Sequence, residues 1–274
     1  MQIKDINGKV AYECERLEDI DWSKNAFRKL ELSNAVFDGL KLNYARFIEA
    51  NLAGASFNDA KLTGASFVEA NLAGASFDAC NLRRACFSRA NLTNANFHLA
   101  NLTEANLNYA QASLAGFHYA NLDRCNAYRL QASKASFIRT RAVMMDASSS
   151  NFSEADLMDS LFTGTDFGFS DFRQANFTGC CLVRACITEV KLDGATIEWT
   201  SHDLIAEILR QEAGDDIEKQ KIAGFILINR GKCWRDFLQI DDPLKSWALE
   251  VLSKYGYGRL PIPDGFVWDE IVGS

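Results

Sequence analysis

The sequence predicts a β-solenoid, a rod of stacked coils, followed by an α-helical block. A bulky apolar residue recurs every fifth position in one register from Phe27 to Ile197, and a small residue stands two places before it. After Trp199 that pattern stops and a helical spacing replaces it. A period of five fits neither a helix nor a strand. The chain must therefore turn a corner every five residues, and four such turns close a square coil of twenty.

Residues 1–21 are expected to close the first open edge of the rod, where unpaired strand would otherwise recruit other chains. Ile3, Ile6, Val10 and Tyr12 flank Asn7-Gly8, a type I′ hairpin signal. Residues 22–200 are the coil. The large inward residues alternate Phe and Leu, which over a four-sided coil gives two Phe walls and two Leu walls. Phe37, Phe57, Phe77, Phe97, Phe117 and Phe137 stack on one wall; Leu52, Leu72 and Leu92 stack on another. The second inward site is mostly Ala, as at Ala55, Ala75 and Ala95, because a larger residue would overpack the shaft. Outward positions are rich in Asn, Asp, Ser, Thr and Gly, which suit corners.

Between residues 112 and 147 the rule loosens. Ala112, Ala127, Ala132, Ala142 and Ala147 stand where Phe or Leu is expected, while Leu130 and Met145 enlarge the small site. Either volume is exchanged within the coil or the coil is distorted into a side cavity. Nearby is an outward cluster of His98, Leu99, Tyr109, Leu114, His118, Tyr119 and Tyr128. His98 and His118, and Leu99 and Tyr119, are each twenty apart and should stack on adjacent coils. The cluster reads as solvated surface or as a partner patch.

Residues 201–274 are helical. Leu204, Ile205, Ile208 and Leu209 share a face between Ser201 and Gly214; Ile217, Ile222, Phe225 and Ile226 mark a second helix; Trp234, Phe237 and Leu238 mark a short third. A fourth is capped by Asp242, has Pro243 at its first position, and lines one face with Leu244, Trp247, Ala248, Val251, Leu252 and Tyr255. The tail from Tyr257 is expected to pack back over these helices. The block reads either as a cap on the coil or as a dimer or partner surface.

Catalytic signatures are missing: there is no phosphate-cradling loop, no HExxH and no GxSxG, and only three histidines. Two histidines without a third ligand, and Cys180-Cys181 with Cys186, lack metal spacing, so no metal or cofactor is expected. The eight cysteines, in a chain with no export signal at Met1, read as reduced thiols; with no apolar run of spanning length, a cytoplasmic protein away from membranes is expected. The net charge of −7 disfavours direct nucleic-acid binding.

Charge divides by wall. The Phe37 wall carries Asp38, Asp59, Asp78, Asp156, Asp159 and Glu198 against Arg139. The next wall carries Lys41, Lys61, Arg83, Arg84, Arg124, Arg141 and Arg184 against Glu104 and Asp123.

Ala50-Asn51-Leu52-Ala53-Gly54, Ala70-Asn71-Leu72-Ala73-Gly74 and Ala90-Asn91-Leu92-Thr93-Asn94 fit the pattern A(D/N)LXX. Residues 22–200 thus resemble the pentapeptide-repeat family. The resemblance implies a right-handed quadrilateral parallel β-helix, here of about nine coils at roughly 4.8 Å each. It implies a non-enzymatic scaffold for a protein partner. Some family members bind DNA gyrase by imitating DNA, so the alternative is a DNA-mimicking modulator of gyrase or topoisomerase, with the acidic wall as its face. Some gyrase-targeting members dimerise through C-terminal helical elements, though much shorter ones, which puts a homodimer through residues 201–274 among the expectations.

Overall fold

A computed structural model of the chain describes residues 2–5, 7–13, 28–197, 202–228 and 244–253. From residue 28 to 197 the chain is a β-solenoid whose backbone hydrogen bonds obey a five-residue rule. The core residue donates nineteen residues ahead, as Phe57 N to Ser76 O at 2.8 Å, and the residue two further on does the same, as Asp59 N to Asp78 O at 2.9 Å. The residue before the core residue donates twenty-one back, as Ser56 N to Ala35 O at 2.9 Å. The residue three after it closes a turn, as Ala60 N to Phe57 O at 2.9 Å. Parallel bridges accordingly join residues twenty apart, from Glu31↔Asn51 to Asn176↔Thr196.

That leaves one N–H per unit, on the residue just after the core residue. In many units a side-chain oxygen takes it: Asn91 Oδ1 accepts from Thr93 N at 3.1 Å and Asp166 Oδ1 from Gly168 N at 2.9 Å. Elsewhere the acceptor comes from the preceding coil, as Asp38 Oδ1 from Asn58 N and Asp123 Oδ1 from Val143 N, both at 2.8 Å. Backbone donors have to be satisfied, and in the units that carry it an Asn or Asp supplies the acceptor. The amides also form a column: Asn71 Nδ2 donates to Asn51 Oδ1 and Asn91 Nδ2 to Asn71 Oδ1, each at 3.0 Å. Asn71→Ala is expected to destabilise by about 1–2 kcal/mol, since it breaks the column and leaves the Ala73 N–H unmet; a urea midpoint unchanged from wild type would show the column to be idle.

The corners are left-handed. The residue two after each core residue has positive φ, from Lys29 at 57° to Glu189 at 53°, with Tyr44 at 63° and Leu114 at 62°. A single positive φ at the second central residue matches a type II turn, where glycine is the usual choice. Most of these positions are not glycine, so each carries local strain that the ladders on either side impose. Leu114→Gly should therefore be neutral or stabilising by up to about 1 kcal/mol in thermal unfolding, whereas a β-strand leucine would lose stability.

Inside, Phe37, Phe57, Phe77, Phe97, Phe117 and Phe137 form one face-to-face column with centroids 4.7–4.9 Å apart. Phe47, Phe67 and Phe87 form a second, meeting the first edge-on, as Phe67 to Phe77 at 5.7 Å. Leu52, Leu72 and Leu92 are fully buried, and so are Ala112, Ala127, Ala132, Ala142 and Ala147, with Leu130 and Met145 buried beside them. Past Phe137 the rings change walls: Phe152 stacks on Phe172 at 4.9 Å above the leucine column, and Phe162 meets Phe167 at 5.1 Å. Where the small inward site becomes polar, it bonds to a carbonyl of the preceding coil. Ser150 Oγ donates to Ala127 O and Ser170 Oγ to Ala147 O, both at 2.9 Å. Cys80 and Cys125 direct their thiols the same way, to Phe57 O and Leu102 O, and burial pushes both up to about 12.

At the N-terminal end, β1 (Gln2–Asp5) pairs antiparallel with β2 (Val10–Glu13) and, on its other edge, with β3 (Leu30–Glu31). Gly8 has φ +83°, a bulge between Ile3 and Lys4 shifts the register by one, and Ile6 lies outside the described residues.

At the other end lie α1 (His202–Ala213), α2 (Ile217–Ile228) and α3 (Lys245–Ser253). Leu204, Ile205, Ile208 and Leu209 are buried, and Gly214 leaves α1 at φ +51°. Asp216 Oδ1 caps α2 through Glu218 N at 3.1 Å and Lys219 N at 3.2 Å. Ile217 is 69% exposed, because at the first residue of α2 it lies outside the face formed by Ile222 and Ile226. Trp22, Phe27, Ser201, the Trp234 helix, Asp242, Pro243 and the tail lie outside the described residues.

Candidate interaction surfaces

Residues at positive φ line the four long corners of the rod, and each corner is a column of side chains twenty apart in sequence. Leu99, Tyr119, Arg139 and Asp159 share one corner. Arg139 Nη1 donates to Tyr119 Oη at 2.9 Å, its guanidinium lies 5.8 Å from the tyrosine ring, and its Nε is 3.3 Å from Asp159. Across the rod, Glu69, Arg89, Tyr109 and Arg129 share another. Arg89 is 3.5 Å from Glu69, both arginines sit 5.9 Å from the Tyr109 ring, and Arg129 is 5.2 Å from Tyr128.

The seven outward residues therefore do not converge. His98, Leu99, His118 and Tyr119 lie together, with His98 and Tyr119 edge-on at 5.9 Å. Tyr109 and Tyr128 meet edge-on at 5.6 Å on the diagonally opposite corner, and Leu114 occupies a corner between the two groups. A flat partner can touch one tyrosine group or the other. Leu99 is 55% exposed, Tyr119 48% and Tyr109 40%, so both groups remain accessible.

The acidic wall is largely engaged. Asp38 accepts from Ser56 Oγ and Asn58 N, Asp156 from Met158 N and Asn176 Nδ2, Asp78 lies 2.7 Å from His98 Nδ1, and Asp159 pairs with Arg139. Asp59 stands at a corner with φ 60°, and Glu198 lies outside the described residues. On the neighbouring wall, Arg83 and Arg84 share Glu104 at 3.7 and 2.6 Å, and Arg141 holds Asp123 at 2.6 Å. Lys41, Lys61, Arg124 and Arg184 make no ion pair among the described residues.

The sequence reading missed a fourth feature, at the C-terminal end of the coil. A further coil would bring a carbonyl to Glu189 N and an N–H to Val190 O. Instead α1 supplies them from side chains: Glu207 Oε1 accepts from Glu189 N at 2.9 Å, and Gln211 Nε2 donates to Val190 O at 2.8 Å. Gln211 also donates to Glu207 Oε1 at 2.9 Å, and Arg210 donates twice to the same carboxylate, at 2.7 and 2.8 Å. Burial opposes the charge on Glu207, but the donors from Arg210, Gln211 and Glu189 outweigh it and hold its carboxyl below the usual carboxylate range. The sequence signal was arithmetic: residue 211 follows residue 190 by the twenty-one of the ladder. Beside this contact a cavity of about 360 Å³ opens between Thr188, Arg210, Gln220 and Gly224.

Among the described residues, no cluster of three His, Cys, Asp or Glu could hold a metal, and no helix is long and apolar enough to cross a membrane.

Two family models match the chain: a pentapeptide repeat region over residues 41–117, and pentapeptide repeats over residues 150–194. Among solved structures, the chain is similar to HetL, a pentapeptide repeat protein involved in heterocyst differentiation regulation in the cyanobacterium Nostoc, with 23% identity over 62% of this chain and 88% of that one, TM-score 0.34. It is similar to full-length QnrB1, a plasmid-mediated fluoroquinolone resistance protein, with 19% identity over 60% and 89%, TM-score 0.26. Rfr23, a pentapeptide repeat protein of the cyanobacterium Cyanothece, matches with 16% identity over 49% and 89%, TM-score 0.30. No curated protein matches the chain.

Proposed function

This chain belongs to the pentapeptide-repeat family, and from that premise we propose that it is a non-enzymatic scaffold that binds a protein partner through the side chains of its corners and walls. The observation that supports this reading is the backbone ladder: the coil meets most of its N–H groups internally, so the rod offers partners a fixed lattice of side chains. The finer architecture we propose is a right-handed rod of about nine coils over residues 22–200, preceded by an edge-closing hairpin in 1–21 and capped by 201–274, with Glu207 and Gln211 standing in for the missing coil. The helical block is also the surface for a homodimer.

Imitation of DNA before gyrase is the weaker reading, because it calls for a continuous face of free acid, and Asp78 and Asp159 are each paired with a cationic or basic side chain. The test is affinity capture from the native host with the full chain, with Tyr109→Ala/Tyr128→Ala, and with Tyr119→Ala. A partner should be lost with one tyrosine corner and kept with the other. Retention of every partner in both variants counts against the tyrosines.

A further inference from the structure

Resting on the scaffold reading, we propose that the corner between the Leu42 wall and the Phe47 wall, over its first coils, docks an extended acidic polypeptide segment. The first observation is where unpaired positive charge lies. Most arginines and lysines of the coil sit in ion pairs with a carboxylate. Lys41, Arg46, Lys61, Arg124 and Arg184 do not, among the described residues: Lys41 and Lys61 lie on the Leu42 wall, Arg124 and Arg184 on its corner with the Phe47 wall, and Arg46 on the row past that corner, while only Arg129 and Lys191 stand without an ion pair elsewhere on the described coil. Lys41 and Lys61 are direct neighbours across a parallel bridge, an arrangement of like charges that is unfavourable until something negative lies over it. Glu104, the carboxylate on the same corner, serves both Arg83 and Arg84 and leaves that group net positive.

The second observation is an aromatic platform in the middle of this charge. Tyr44 is 65% exposed, yet its ring is laid against the backbone of the next coil. A Cβ on Gly64 would come within 2.7 Å of Tyr44 Cδ1 and 2.8 Å of Cε1, so only glycine lets the ring lie there. A tyrosine held flat beside arginines and lysines is the composition of an interface anchor.

The chemistry of the occupant follows from what borders the corner. Asp38 and Asp78 lie on the adjoining Phe37 wall, and Asp59 on the corner between that wall and the Leu42 wall. A nucleic-acid duplex is broad enough to press its phosphates against those carboxylates, and the chain as a whole is at −7. An extended polypeptide is narrow enough to follow the corner alone, placing carboxylates over Lys41, Lys61 and Arg124 and a flat apolar contact on Tyr44.

The experiment is fluorescence anisotropy of a labelled poly-L-glutamate peptide of about 20 residues with the full chain, at about 50 mM salt, where exposed charges are weakly screened. Saturable binding is expected, weakened about tenfold by Lys41→Gln/Lys61→Gln/Arg124→Gln and about threefold to fivefold by Tyr44→Ala. Lys134→Gln, on a different corner, should leave it unchanged. Circular dichroism of each variant confirms that the coil is intact. The proposal is overturned if the peptide does not bind at about 100 μM protein, or if the triple variant binds as wild type does. It is also overturned if a duplex DNA of equal charge binds more tightly. Self-association in sedimentation that the triple variant abolishes would instead assign the corner to a second copy of this chain. If the peptide fails while captured partners still depend on Tyr109 or Tyr119, this corner falls and the scaffold reading stands.

Discussion

Phe77→Ala is expected to lower the unfolding free energy by about 3–5 kcal/mol. Phe77 is fully buried and stacks at 4.9 Å on both Phe57 and Phe97, while Phe67 and Phe87 meet its edge at 5.7 Å. Four rings therefore lose a partner at once. The coil cannot collapse into the gap, because its walls are held apart by ladders that run twenty residues in each direction. Phe77→Leu, which refills part of the volume, should cost roughly half as much. Guanidinium unfolding monitored by far-UV circular dichroism measures both. A loss under about 1 kcal/mol for the alanine variant would mean that the column does not carry the coil.

The second large effect is expected at the junction with the helices. Glu207→Ala removes the acceptor for Glu189 N and strands Arg210 and the Gln211 amide, for an expected loss of roughly 2–3 kcal/mol. The loss should concentrate in the last coil, seen as faster amide exchange at Glu189 and in the coil before it, with the Phe57–Phe97 region unchanged. The pH dependence follows from the sign of the shift. The carboxyl of Glu207 is lower in the folded chain than in the unfolded one, so its stabilisation is complete above the unfolded value and fades as pH falls through the folded one. The gap in melting temperature between wild type and Glu207→Gln should be widest near neutrality and shrink below about pH 4.5. A gap that does not narrow with acid would show that charge is not what the last coil uses.

The interior of the rod was legible in the sequence because a spacing of five leaves Phe57, Ala55 and their counterparts no other common side. The corners were not. Leu, Tyr, Arg and Met are poor turn formers, and nothing local marks Tyr44 or Met144 as left-handed; the ladders above and below impose that conformation. The same oversight misplaced the candidate surface. Tyr109 and Tyr119 look like neighbours at a spacing of ten, but ten residues carry the chain half-way round the rod. The wall-by-wall charge count erred likewise, since Asp159 and Arg139 stand on a corner and face each other along it. The Asn and Asp of each unit were read as generic corner residues, although their acceptors complete the hydrogen bonding of the backbone. Glu207 and Gln211 were hidden for a different reason: they belong to a helix by pattern and to the coil by function.

Because every bridge joins residues twenty apart, insertions and deletions along the coil come in two kinds. Losing twenty residues shortens the rod by one storey and leaves each later side chain on the side it already occupied. Losing five still lets a core residue follow a core residue, but it sets phenylalanines over leucines at the join and rotates everything downstream by a quarter turn. Tyr128 would then leave the side of Tyr109, and Arg124 would no longer lie in line with Tyr44. Length in this architecture is thus cheap to vary, while azimuth is the coordinate that any partner must find preserved.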